Sequence, residues 1–162
     1  MNYIINSIPF LIIGIILYFS LKKQMRKEDK YFGKKLPLTK RENKILENYK
    51  AVYVEIAFDA RLPTFEKDKF ELVDIAKTAT EIIYDHPIPT KQEKERVGTK
   101  RFVKLKFLDK NFDVERIWVE ITERDGKLFK GMLRNESLSN DALQSEKEFW
   151  FHSNHIFQIR NK

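Results

Sequence analysis

Three histidines, His86, His152 and His155, are the side chains in this chain best suited to acid–base or metal chemistry. His152 and His155 stand three apart, and with His86 or Asp85 they could gather round a metal ion. Structural zinc takes four protein ligands and catalytic zinc three with an open position, so two imidazoles in a turn between extended segments fall short of either. The chain has no cysteine, which removes disulfides, thiolate ligands and a thiol nucleophile together. It has no G-x-S-x-G elbow, no P-loop and no G-x-G-x-x-G run, so acyl transfer, phosphoryl transfer and dinucleotide binding lack their usual supports. Glu115, Glu120 and Glu123 alternate with basic residues on one extended run, where solvated cross-strand pairs are the ordinary explanation. The expectation is a protein without catalysis, cofactor or bound metal, with a His-dependent metal enzyme as the weaker alternative.

Recognition is better supported. In VERIWVEIT (114–122), Ile117, Val119 and Ile121 point one way and Arg116, Trp118 and Glu120 the other. The same alternation puts Val103, Leu105 and Phe107 on the aliphatic side and leaves Phe102, Lys104 and Lys106 beside Trp118. Phe102, Lys104, Lys106, Arg116 and Trp118 thus share a basic and aromatic face, a composition enriched at binding hot spots. The competing and preferred expectation is that helices from residues 40–84 cover this face, because a domain of this size packs both layers.

The elements that position these residues follow from period and punctuation. RFVKLKFL (101–108), VERIWVEIT (114–122) and KLFKGMLR (127–134) read as a three-stranded meander through the turns DKNFD and ERDG. A polar loop over 135–145 leads to two more short extended segments, EFWFH and HIFQI. About five short antiparallel strands predict a small sheet or partly open barrel packed with helices, an α+β fold. Thr39 and Glu42 form a capping box that starts a helix to about Tyr49, and Thr90 with Glu93 form another ahead of a short helix over 91–97. Between them, Val52, Val54, Ile56 and Phe58 alternate with Tyr53, Glu55 and Ala57, which predicts a strand with one buried face. Residues 65–84 read as a helix on the spacing of Phe70, Val73, Ala76 or Lys77, and Thr80, with Ile82 and Ile83 belonging either to its end or to a strand.

Asn2 to Leu21 are twenty consecutive residues without a charge. At about 1.5 Å per residue they make a helix of roughly 30 Å, the thickness of a bilayer's hydrocarbon core. Apolar residues cover every side of that helix, so it offers no solvent face. No basic run precedes it and no small-residue cleavage site follows, so the expectation is a retained single-pass anchor. Lys22, Lys23, Arg26, Lys27 and Lys30 come directly after, which predicts the N-terminus outside and the following domain in the cytoplasm. The expected organisation is therefore a span over 2–21, a basic juxtamembrane segment and linker over 22–38, and a soluble α+β domain over 39–162. The net charge of +7 comes from residues 22–50, with eleven basic residues against four acidic, whereas residues 51–162 hold twenty of each sign. That placement points to topology or anionic-lipid contact and away from nucleic acid as a partner.

The succession IPTKQEKERVG, VKLKF, ERIWVEITE, GKLFKGMLRN and FWFHSNHIFQI, over about residues 87–159, resembles the bacterial family called domain of unknown function 2314, also described as YegJ-like. The strands, the Trp118-Val119 pair and the spacing from Gly131 to Asn135 carry the likeness. Glu136 stands where the family usually has Pro, and Ser145-Glu146 where it usually has Gly-Asp. The resemblance implies a small β-rich fold and carries no catalytic residues. Occurrence of such members beside bacterial toxin genes implies an immunity or other protein-binding role. Residues and resemblance together lead to the expectation of a single-pass protein-binding or accessory module of a bacterial inner-membrane complex. A toxin-immunity protein and an anionic-lipid-binding module are the alternatives.

Overall fold

A computed structural model of the chain describes residues 33, 34, 37–111, 113–137 and 140–160. The expected span over 2–21 and the basic residues Lys22, Lys23, Arg26, Lys27 and Lys30 lie outside the described residues. Among the described residues, no helix is long and apolar enough to cross a membrane.

The fold is α+β. Its elements are helix α1 (Lys40–Val52), helix α2 (Phe65–Asp68), strand β1 (Glu71–Leu72), helix α3 (Ile75–Thr78), helix α4 (Lys91–Glu95), and strands β2 (Phe102–Leu108), β3 (Val114–Asp125), β4 (Leu128–Leu133) and β5 (Glu148–His152). A 3-10 turn (Ser153–His155) and strand β6 (Gln158–Ile159) complete it. The strands form one antiparallel sheet in the order β1-β2-β3-β4-β5, with β6 also paired to β2. Period-2 patterning sets the register, so that Val103 faces Val119, Leu105 faces Ile117 and Lys104 faces Trp118.

Three strand spacings separate β2 from β5, about 14 Å in a flat sheet, yet the Phe107 and Phe149 rings on those strands lie 5.4 Å apart. The sheet therefore curls on itself. Phe70, just before β1, sits edge-on to Phe149 at 5.6 Å, so aromatic side chains close the seam between the two edges, where no strand pairing is seen among the described residues. A bulge between Ile121 and Glu123 marks where β3 bends. Gly131 lies under the tightest approach, because a Cβ there would stand 2.3 Å from Val119 Cγ1 and 2.9 Å from Phe151 Cε1. The core inside the curl combines Val103, Leu105, Phe107, Val119, Ile121, Phe129 and Phe151 with Phe70, Leu143 and Ile156.

A second, smaller core of Ile75, Ala79, Ile88 and Phe157 packs with Tyr49, Val73 and Tyr84. Helix α1 starts as expected at the Thr39–Glu42 box. The Thr39 backbone N–H, the Thr39 hydroxyl and Lys34 together hold the Glu42 carboxyl down at about 2. Lys34, within the expected linker, pairs with Ile83 through backbone hydrogen bonds of 2.5 and 2.7 Å. The second box, at Thr90 and Glu93, is also formed.

Two expectations are corrected. Residues 65–84 do not make one helix: Lys69 takes a left-handed φ of 66° and ends α2, β1 follows, and Asp74 caps a new turn by accepting from the Lys77 backbone N–H at 2.9 Å. The apolar spacing that suggested a helix serves two separate destinations, Phe70 in the sheet core and Ile75 in the smaller one. Residues 53–58 form no strand, and helix α1 continues through Val52. The alternating apolar residues there are not buried on one face: Val52, Val54 and Phe58 are 60, 56 and 95% exposed.

Candidate functional site

The basic and aromatic face is assembled as the alternation predicts. Lys104 lies over the Trp118 ring at 4.5 Å, and Arg160 stands 5.4 Å from Phe102 and 5.5 Å from Trp118. Lys106 sits between the Tyr84 and Phe157 rings at 4.4 and 4.5 Å, and Arg116 is 5.8 Å from Phe157. A cation held over an aromatic face is attracted by the ring quadrupole, which offsets part of its lost hydration. Cover is uneven. Lys106 is buried beneath Tyr84 and Phe157, and burial first, then Arg116, lowers its amine to about 8. Phe102, Lys104, Arg116 and Trp118 stay half-buried, and Arg160 of the C-terminal stretch lies beside Phe102 and Trp118.

The histidines are employed in structure. Asn154 N–H donates to His152 Nδ1 at 3.1 Å, and His152 N–H donates to His155 Nδ1 at 3.0 Å, so both imidazoles cap the 3-10 turn that carries the chain from β5 towards β6. Burial pushes His155 down to about 3, with help from His152 and Lys94, and it also lowers His152. His86 packs edge-on against Phe157 at 4.5 Å with its Nδ1 2.7 Å from Asp85. Among the described residues, no group of three or more His, Asp or Glu comes together at metal-holding distance.

Two features escaped the sequence reading. The first is the stretch 52–58, which leaves helix α1 at Val52, takes extended angles at Tyr53 and exposes Val52, Val54 and Phe58. Asn154 Nδ2 ties the Val54 carbonyl at 2.9 Å, and beyond the stretch Arg61 reaches Asp125 at 2.8 Å and lies 4.8 Å over the Trp150 ring of β5. Between these ties the backbone of residues 56–58 forms no hydrogen bond among the described residues. The second is a cavity of about 470 Å³ bounded by helix α1, the α3 region, helix α4 and the 3-10 turn, with Lys94 in its lining. Lys94 is only 6% exposed, and burial lowers its amine to about 8 against a weaker upward pull from Asp74. Only the capping box at Thr90 hinted at this, since it fixes which side of a short helix turns inward.

No protein-family model matches the chain, and neither a curated protein nor a solved structure does.

Proposed function

We propose that this protein is a non-catalytic binding module of the bacterial inner membrane, anchored by residues 2–21 with its N-terminus outside, that presents residues 52–58 to an extended segment of a partner protein. One observation carries the reading: Val52, Val54 and Phe58, the exposed large hydrophobic residues of the described chain, lie together at the end of helix α1 and in the segment after it, where the backbone of residues 56–58 forms no hydrogen bond among the described residues. An unpaired extended backbone is a template for an added strand, and alternate apolar side chains give that strand something to bury. The ties at Val54 and Arg61 hold the stretch before a partner arrives, which lowers the ordering cost of binding. Anchoring beside the bilayer raises the effective concentration for a partner in the same membrane. The resemblance to domain of unknown function 2314 agrees with a binding role and names no partner.

Site-specific photo-crosslinking in native membranes tests this. A crosslinker at position 58 is expected to give a discrete adduct that Val54→Lys abolishes, while one at exposed position 110 gives none. An adduct of two copies of this chain would replace the foreign partner by self-association and overturn the reading, as would equal adducts from 58 and 110.

A further inference from the structure

Helix α4 turns four of its five residues to solvent, Lys91, Gln92, Glu93 and Glu95, and the one it turns inward is Lys94. An apolar side chain there would pack equally well without desolvating an ammonium, a cost that an unpaired buried charge cannot recover. The Lys94 ammonium forms no hydrogen bond or ion pair among the described residues. Four other polar groups lining the same cavity have partners. Tyr49 is hydrogen-bonded to the Ile88 backbone, Tyr53 donates to Asp74 Oδ2 at 3.3 Å, His152 accepts from Asn154, and Asn154 donates to Val54. The rest of the lining includes an apolar wall of Ile45, Val52, Ala76, Ala79, Ile88 and Pro89 together with the exposed Glu55, Lys91, Glu95 and Lys127, so that Lys94 is the buried cation of the cavity.

We propose that this cavity binds an amphipathic monoanion, a carboxylate carried on a hydrocarbon or aryl body, with the carboxylate on Lys94 and the body along Ile45, Tyr49 and Ile88. The cavity of about 470 Å³ falls within the range of small-molecule sites. A carboxylate supplies the single negative charge and the hydrogen-bond acceptors that the ammonium lacks, in a charge-assisted contact. A dianion fits less well, because the Asp74 carboxylate already acts on Lys94 and the neighbouring His152 is held towards its neutral form. Val52, Tyr53, Val54 and Glu55 of the proposed partner contact also line the cavity, whereas Phe58 does not, so substitutions at Phe58 test the contact and substitutions at Lys94 test the cavity.

The test is calorimetric titration of the full-length protein in lipid nanodiscs with sodium octanoate, octan-1-ol and octyltrimethylammonium, with empty discs subtracted. The expected result is saturable octanoate binding that Lys94→Met weakens roughly tenfold or more, with octan-1-ol unable to distinguish the two proteins and the ammonium probe not binding. Lys94→Met is expected to keep or raise Tm, because it replaces a buried charge by an apolar side chain of similar length. Ile45→Trp, which fills the cavity from helix α1 and leaves Lys94 in place, is expected to weaken octanoate binding as well, and it decides the matter should Lys94→Met not fold. Absence of saturable octanoate binding, octanoate binding unchanged in folded Lys94→Met, or binding unchanged in Ile45→Trp would overturn the proposal.

Discussion

On the inner face of β2, Val103, Leu105 and Phe107 are 0 to 1% exposed within the apolar cluster, whereas on the outer face Lys104 rests on Trp118 of the adjacent strand and Lys106 on Tyr84 and Phe157 from outside the β2–β5 strands. Inside the curl, strand pairing fixes each environment, and period 2 decides which residues enter it. On the helical side, single turns, loops and the C-terminal stretch meet without a repeating geometry. Buried lysines, an unpaired stretch and a cavity collect there. The inner face is a scaffold that tolerates little, and the helical side carries the features that exceed what folding requires.

The sharpest test of that contrast pairs two phenylalanines. Phe151→Ala removes a fully buried ring stacked on Phe129 at 5.4 Å and should cost about 3–5 kcal/mol in denaturant unfolding. Next in size, Gly131→Ala drives a methyl group towards Val119 and Phe151 and should cost about 1–3 kcal/mol by overpacking, even though it adds apolar surface. If it stabilised the protein, the close-packed account of the curl would be wrong.

A pH series probes the junction between the two regions. The unfolded chain protonates His155 near 6.5 and the folded protein near 3. Across that window the unfolded state binds more protons, so stability should rise with pH through it and fall as pH drops from about 6.5 towards 3. His155→Gln should flatten that slope in urea titrations at stepped pH; an unchanged slope would mean that His155 is not held neutral. The smallest effect belongs to Phe58→Ser, at a side chain 95% exposed, which should change stability by no more than about 0.5 kcal/mol. A loss comparable with that of Phe151→Ala would make residues 52–58 part of the fold, not a surface kept for a partner.

The same contrast explains what could be read in advance. Strands β2 to β5 and both capping boxes were legible because their signals are local: alternation, turn residues, and a hydroxyl three residues before a carboxylate. The basic and aromatic face was legible because it is the other half of one alternation. Residues 52–58 carried the strand pattern without a strand beside them, and pattern alone does not supply a hydrogen-bonding neighbour. The reading of 65–84 failed because Phe70 and Ile75 serve different cores, which helical spacing cannot reveal. Lys94 was invisible, since one lysine among K-Q-E-K-E looks like solvated charge until the cavity wall is in place.

The absence of cysteine makes one measurement especially clean. Single substitutions Phe58→Cys and Lys110→Cys, each then the sole thiol in the chain, can be labelled with a maleimide on inside-out native membrane vesicles and again on purified full-length protein in nanodiscs. If residues 52–58 are a partner's contact surface, position 58 will label slowly in vesicles and fast after purification, while position 110 labels fast in both. Equally fast labelling of position 58 in the two preparations would contradict the central claim.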